Sequence, residues 1–101
     1  MTNAAQSETF FTLTIDDHEI RVRYRPHHIG GLDPYAMLEF SSPHQPRRAI
    51  PVSRKGYSSF FAPMSEIRQA PSVETYACMV ALLLARELTM SARAAAPSAN
   101  S

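Results

Sequence analysis

An α+β domain is what this 101-residue chain predicts: a small antiparallel sheet of three or four strands, opened by an N-terminal hairpin and packed by one long C-terminal helix. Two patterns carry that reading. Side chains alternate apolar and polar through residues 10–25 and again through 35–40, the period of a half-buried strand. From residue 73 to about 90 the chain has no glycine or proline, and apolar residues recur at helical spacing.

The hairpin comes first. Arg21, Arg23 and Arg25 alternate with Ile20, Val22 and Tyr24, so a strand here sets three arginines on one face and three apolar residues on the other. Phe11 to Ile15 alternate in the same way. A tight turn at Asp17 and His18 would pair Ile15 with Ile20, Leu13 with Val22 and Phe11 with Tyr24. Thr14, Thr12 and Phe10 would then oppose Arg21, Arg23 and Arg25. A slip of one residue would mix the two faces, so the pattern itself specifies which residues point inward.

Pro26 interrupts the second strand, and residues 27–34 read as a loop of turn formers. Tyr35 to Phe40 is a third strand, with Ala36, Leu38 and Phe40 on one face and Met37 and Glu39 on the other. A polar loop holding Pro43 and Pro46 leads to a short fourth strand at Ala49 to Ser53, which Pro51 confines to an edge or makes irregular. Tyr57 to Phe61 is an aromatic segment suited to extended backbone. Pro63 to Gln69 suits a turn or two of helix with Met64 and Ile67 inward. Ser72 is a good N-cap for the main helix, and Glu74 sits where the helix dipole favours an acid. Residues 9–90 form a single domain on this reading, with 1–8 and 91–101 as flexible tails.

Composition limits the possible functions. An apolar share of 45% and a charged share of 19% fit an ordinary soluble domain. The net charge of +1 hides an uneven spread: residues 1–20 carry four acids and no base, whereas residues 21–55 carry seven bases against two acids. Nine of the ten cations are arginine, whose planar fork suits carboxylate and phosphate. Cys78 is the only cysteine, which leaves no internal disulfide or cysteine zinc site and fits a reducing compartment. The N-terminus lacks the pattern of a signal peptide. The longest apolar run, Tyr76 to Ala85, is ten residues, against about 20 for a bilayer span. A cytoplasmic location is expected.

The helix carries more apolar surface than one sheet face needs. Val73, Tyr76, Ala77, Val80, Leu84 and Leu88 make a sufficient inner stripe, yet Met79, Leu82, Leu83 and Met90 lie off it. Either residues 26–34, 57–61 and 63–69 cover that excess, or Met79, Leu83 and Met90 form a contact for a second copy or another protein.

No catalytic constellation emerges. The four histidines, His18, His27, His28 and His44, show neither His-x-His nor His-x-x-x-His spacing. A metal site from His27 or His28 with Asp33 and His44 is conceivable, but exposed loop histidines account for them better. Cys78 sits mid-helix, where a thiol packs rather than reacts. The chain is therefore expected to be no enzyme and to need no cofactor or metal. Ser53 to Ser59 gathers cations, a glycine and hydroxyls in an order that is not a Walker loop. Arg47, Arg48, Arg54 and Lys55 would extend the positive face of Arg21, Arg23 and Arg25, and these seven are the expected partner-binding residues. Tyr57, Phe60 and Phe61 offer stacking surface, although at least one of the adjacent phenylalanines belongs in the core.

Ile50-Pro51-Val52-Ser53, Gly56-Tyr57-Ser58-Ser59-Phe60 and Ala62-Pro63-Met64 resemble the central block of small accessory proteins encoded on proteobacterial plasmids and prophages, a likeness spanning residues 37–68. The resemblance implies a mobile-element setting, in which such proteins include inhibitors of restriction and of CRISPR systems. It implies no site residues. The expected function is non-enzymatic binding to a protein or nucleoprotein complex, in its most concrete form an anti-CRISPR or anti-restriction inhibitor acting by steric and electrostatic occupation. The alternative is a small regulator gripping nucleic acid with its arginines, against which stands the near-neutral net charge.

Overall fold

The computed structural model describes residues 8–32 and 34–95, apart from the side chains of residues 27, 28 and 92–95. Four strands run in sheet order β1-β2-β3-β4, all antiparallel: β1 (Thr9–Ile15), β2 (His18–Ile29), β3 (Tyr35–Ser41) and β4 (Tyr57–Pro63). Two helices follow, α1 (Met64–Gln69) and α2 (Val73–Ala95). This is the predicted α+β architecture.

The hairpin turn lies one residue earlier than expected, at Asp16 and Asp17, whose φ values of 52° and 65° make it a mirror-image turn. Such turns match the twist of paired strands, and aspartate tolerates positive φ. Pairing therefore shifts by two: Leu13 faces Ile20, Thr12 faces Arg21, Phe11 faces Val22 and Phe10 faces Arg23. An even shift preserves parity, so the inward and outward sets survive.

Two further expectations need correction. Strand β2 does not stop at Pro26 but continues to Ile29, with the ladder disrupted between Arg25 and Ile29; proline within a sheet is accommodated at just such an irregularity. Residues 49–53 are not a strand. Ile50 and Ser53 close a turn through reciprocal backbone hydrogen bonds of 2.9 and 3.0 Å, with Pro51, which has no N–H to offer, inside it. The fourth strand is instead the aromatic segment, extended to Pro63.

The core lies on one side of the sheet. Ile15, Ile20, Val22, Leu38 and Phe40 are buried beneath Met64 and Ile67 of α1 and Tyr76, Ala77, Val80 and Ala81 of α2, with Ile50 and Val52 closing one end. Ser72 caps α2 as expected, its Oγ accepting the Thr75 N–H at 3.1 Å. The helix runs on to Ala95 rather than ending near Met90, because alanine is the strongest helix former. Its 23 residues reach about 34 Å. Full burial ends at Ala81, and Met79, Leu82, Leu83 and Met90 are 51–57% exposed. The rest of the described chain thus leaves that ridge uncovered. Among the described residues no helix is long and apolar enough to cross a membrane.

Candidate functional site

The alternation that buries Ile20 and Val22 beneath α2 turns Arg21, Arg23 and Arg25 to the opposite face of the sheet. Register then sets that face in lines across the strands. Thr12, Arg21, Ser41 and Tyr57 form one line, Phe10, Arg23, Glu39 and Ser59 the next, and Arg25, Met37 and Phe61 a third. All three arginines share one side, as the sequence requires.

Two of them are already matched by carboxylates. Glu8 accepts from Arg23 at 2.8 Å and from the Arg25 Nε–H at 2.7 Å. Glu39 accepts from Arg23 at 3.3 Å and from the Tyr57 hydroxyl at 2.8 Å. The Arg23 hydrogen bond is the main reason the Glu8 carboxyl lies below its ordinary range, and the same bond raises Arg23. Donation to Glu39, then burial, pushes the Tyr57 phenol up. Exposed pairs of this kind add little stability, but the shared acceptors fix where the guanidinium groups sit. Glu8, assigned to a flexible lead by sequence, is part of this network.

Both pairings reach an aromatic ring. The Arg23 guanidinium lies 5.8 Å from the Phe10 ring centre, and that of Arg47 lies 4.9 Å from the Tyr57 centre. Between these arginine–aromatic pairs opens a groove of about 770 Å³, lined also by Thr12, Arg21, Ser41 and the Glu39 carboxylate that holds Arg23. Arg23 Nε is enclosed there with no hydrogen-bond partner among the described residues. No carboxylate lies within ion-pairing distance of Arg21 or Arg47 among the described residues. The uncompensated positive charge of the groove therefore rests on those two.

The seven expected binding residues separate into groups. Arg21, Arg23 and Arg47 meet at the groove, while Arg25 is held beside it by Glu8. Arg48 lines a smaller groove of about 310 Å³ at the hairpin turn with Asp17, His18, Glu19 and His44. Arg54 and Lys55 are exposed on the turn before β4 and line neither groove. Thr12, Ser41 and Glu39 were not singled out from sequence; they could not be, since their place beside Arg21 and Arg23 depends on the order of strands. Of the aromatic pair, Phe60 packs against the core and Phe61 faces the arginine side.

The histidine site considered above, His27 or His28 with Asp33 and His44, rests on Asp33 and on the side chains of His27 and His28, which lie outside the described residues. Among the described ones, no group of three or more His, Cys, Asp or Glu converges. Cys78 is half-buried and unpaired on α2.

Residues 8–97 match the family model described as the KlcB third domain. The chain belongs to that family. KlcB is a plasmid-encoded protein, associated with anti-restriction and killer loci. Of the plasmid and prophage resemblance of the residue 37–68 block, the match supports the plasmid part, and it covers both the arginine face and the helix. Comparison with curated proteins and with solved structures found no match.

Proposed function

We propose that this KlcB domain is a non-enzymatic, cytoplasmic binding module that inhibits a host nucleic-acid-targeting defence complex by occupying it. The open sheet face meets the partner, and the Met79, Leu83 and Met90 ridge supplies a second contact to another copy or another protein. One observation carries the reading: a sheet with its core on one face presents, on the other, a groove with two cations, Arg21 and Arg47, that pair with no carboxylate among the described residues. Charge complementarity of this sort steers association and selects partners without any reaction or cofactor. The association of KlcB with anti-restriction loci supports the inhibitory form, of the anti-restriction or anti-CRISPR type.

The nucleic-acid alternative is less well supported. A phosphate chain tracking the arginines would run past Glu8 and Glu39 on the same face, where like charge is repelled. The two readings separate by measurement. Labelled single- and double-stranded DNA and RNA are titrated with the chain at low salt, beside affinity capture from host lysate. A stoichiometric protein partner, lost as salt rises, with no nucleic-acid binding is the expected result. Micromolar nucleic-acid binding abolished by alanine at Arg21, Arg23 and Arg25 would make the protein a regulator instead.

A further inference from the structure

We infer that the groove between the Phe10–Arg23 and Arg47–Tyr57 pairs is a docking slot for an acidic protein segment, with one partner carboxylate taken between Arg21 and Arg47. The inference rests on the protein-binding reading above and names the chemistry of the partner.

Register sets the geometry. Arg21 on β2 and Tyr57 on β4 stand on the same line, with Ser41 of β3 between them. Two strand spacings separate their backbones by about 10 Å, and the Arg47 guanidinium lies over the Tyr57 ring. An anion above Ser41 would have a guanidinium on each flank and the hydroxyls of Ser41 and Thr12 beside it, both lining the groove. Arginine is suited to holding a carboxylate through paired N–H donors.

The face already holds carboxylates: among its described residues Arg23 pairs with Glu8 and Glu39, and Arg25 with Glu8. The next line over is filled in this way, and the Arg21–Arg47 line lacks only the acid. Carboxylates at Glu8 and Glu39 favour an isolated negative charge over a continuous phosphate track. Volume agrees: about 770 Å³ is within the usual range of ligand clefts and holds more than one side chain. The rings of Phe10, which is 68% exposed, and Tyr57 offer apolar walls. An acidic residue flanked by apolar ones is the matching sequence.

The test uses the full chain and a fluorescein-labelled peptide with a single glutamate flanked by leucines, read by anisotropy at low salt. A glutamine–leucine peptide of equal length and an oligo-dT strand serve as comparisons. The expected result is binding of the glutamate peptide alone. Its affinity should fall at least about tenfold in the Arg21→Gln/Arg47→Gln variant, as loss of two charge-assisted contacts implies. Arg54→Gln/Lys55→Gln, outside the groove, should leave it unchanged, and circular dichroism should show both variants folded. Equal binding of the glutamine peptide, no binding of the glutamate peptide at millimolar concentration, or loss only in the Arg54/Lys55 variant would each overturn the slot. Oligo-dT binding that depends on Arg21 and Arg47 would reassign it to nucleic acid. Undiminished capture of a host protein by the Arg21→Gln/Arg47→Gln variant removes the slot while leaving the binding module in place.

Discussion

Tyr76 is nearly buried at the sheet–helix junction, and its hydroxyl donates to Glu66 of α1 at 2.8 Å. Burial first, and that hydrogen bond second, push its phenol up to about 12 from the ordinary 10. A raised value means the folded chain keeps a proton that the unfolded chain has begun to lose. The resulting stability is fully present below pH 10 and disappears as pH rises toward about 12. Tyr24, raised mainly by burial, and Tyr57, raised mainly by Glu39, act in the same direction. Urea midpoints measured from pH 9 to 12 should therefore fall steeply at the alkaline end, and Tyr76→Phe should flatten the fall. At neutral pH the same substitution should cost about 1 kcal/mol, the net worth of one hydrogen bond. An unchanged alkaline slope would mean that the phenol is not held in its neutral form by the fold.

Among the elements, the segment between β3 and β4 carries Arg47 and so decides whether the groove has its second cation. Ser42 organises it: the buried Oγ accepts the backbone N–H groups of His44 and Arg48 at 3.1 and 3.2 Å. Gly56 closes it, its carbonyl accepting the Ser42 N–H at 2.8 Å. With φ at +82°, Gly56 occupies backbone space that other residues rarely adopt, and an added Cβ would lie 2.5 Å from the Arg48 carbonyl oxygen. Gly56→Ala should destabilise the fold by about 2 kcal/mol or more, through strain and steric contact together. Because Arg47 and Arg48 are what the new methyl meets, the variant should also weaken binding to the acidic peptide. Denaturant melts and anisotropy on one preparation check both effects.

For the molecule as a whole, the arrangement has two outward surfaces of different character. One is the groove; the other is the ridge of Met79, Leu82, Leu83 and Met90 on a helix that outruns its core contacts. Met79, Leu83 and Met90 recur at spacings of four and seven, which holds them on one side of α2. If this ridge meets a second copy, light scattering should give a dimer for the wild type and a monomer for Leu83→Glu. Thermal stability of the monomer should change little, since Leu83 is 55% exposed and contributes little to the core. A monomer for both proteins would end the second-copy role and leave the ridge to another protein.

Local pattern alone established the two faces of the hairpin and of β3, although Met37 on the arginine face is itself buried, the cap at Ser72, the inward Met64 and Ile67, and the excess apolar surface of α2. These follow from periods of 2 and 3.6, which need no knowledge of what lies across the sheet. The hairpin turn at Asp16 and Asp17 was missed because a shift of two residues leaves both faces intact, so the pattern could not distinguish the two registers. Only the assembled sheet could decide that Glu39 stands opposite Arg23, that Glu8 bridges Arg23 and Arg25, and that Arg47 reaches back over Tyr57. Those contacts join residues 10 to 17 positions apart, and tertiary structure rather than local periodicity brings them together. A row of arginines can be read from a string of letters; which of them keep their charge for a partner is settled by the carboxylates that folding places beside them.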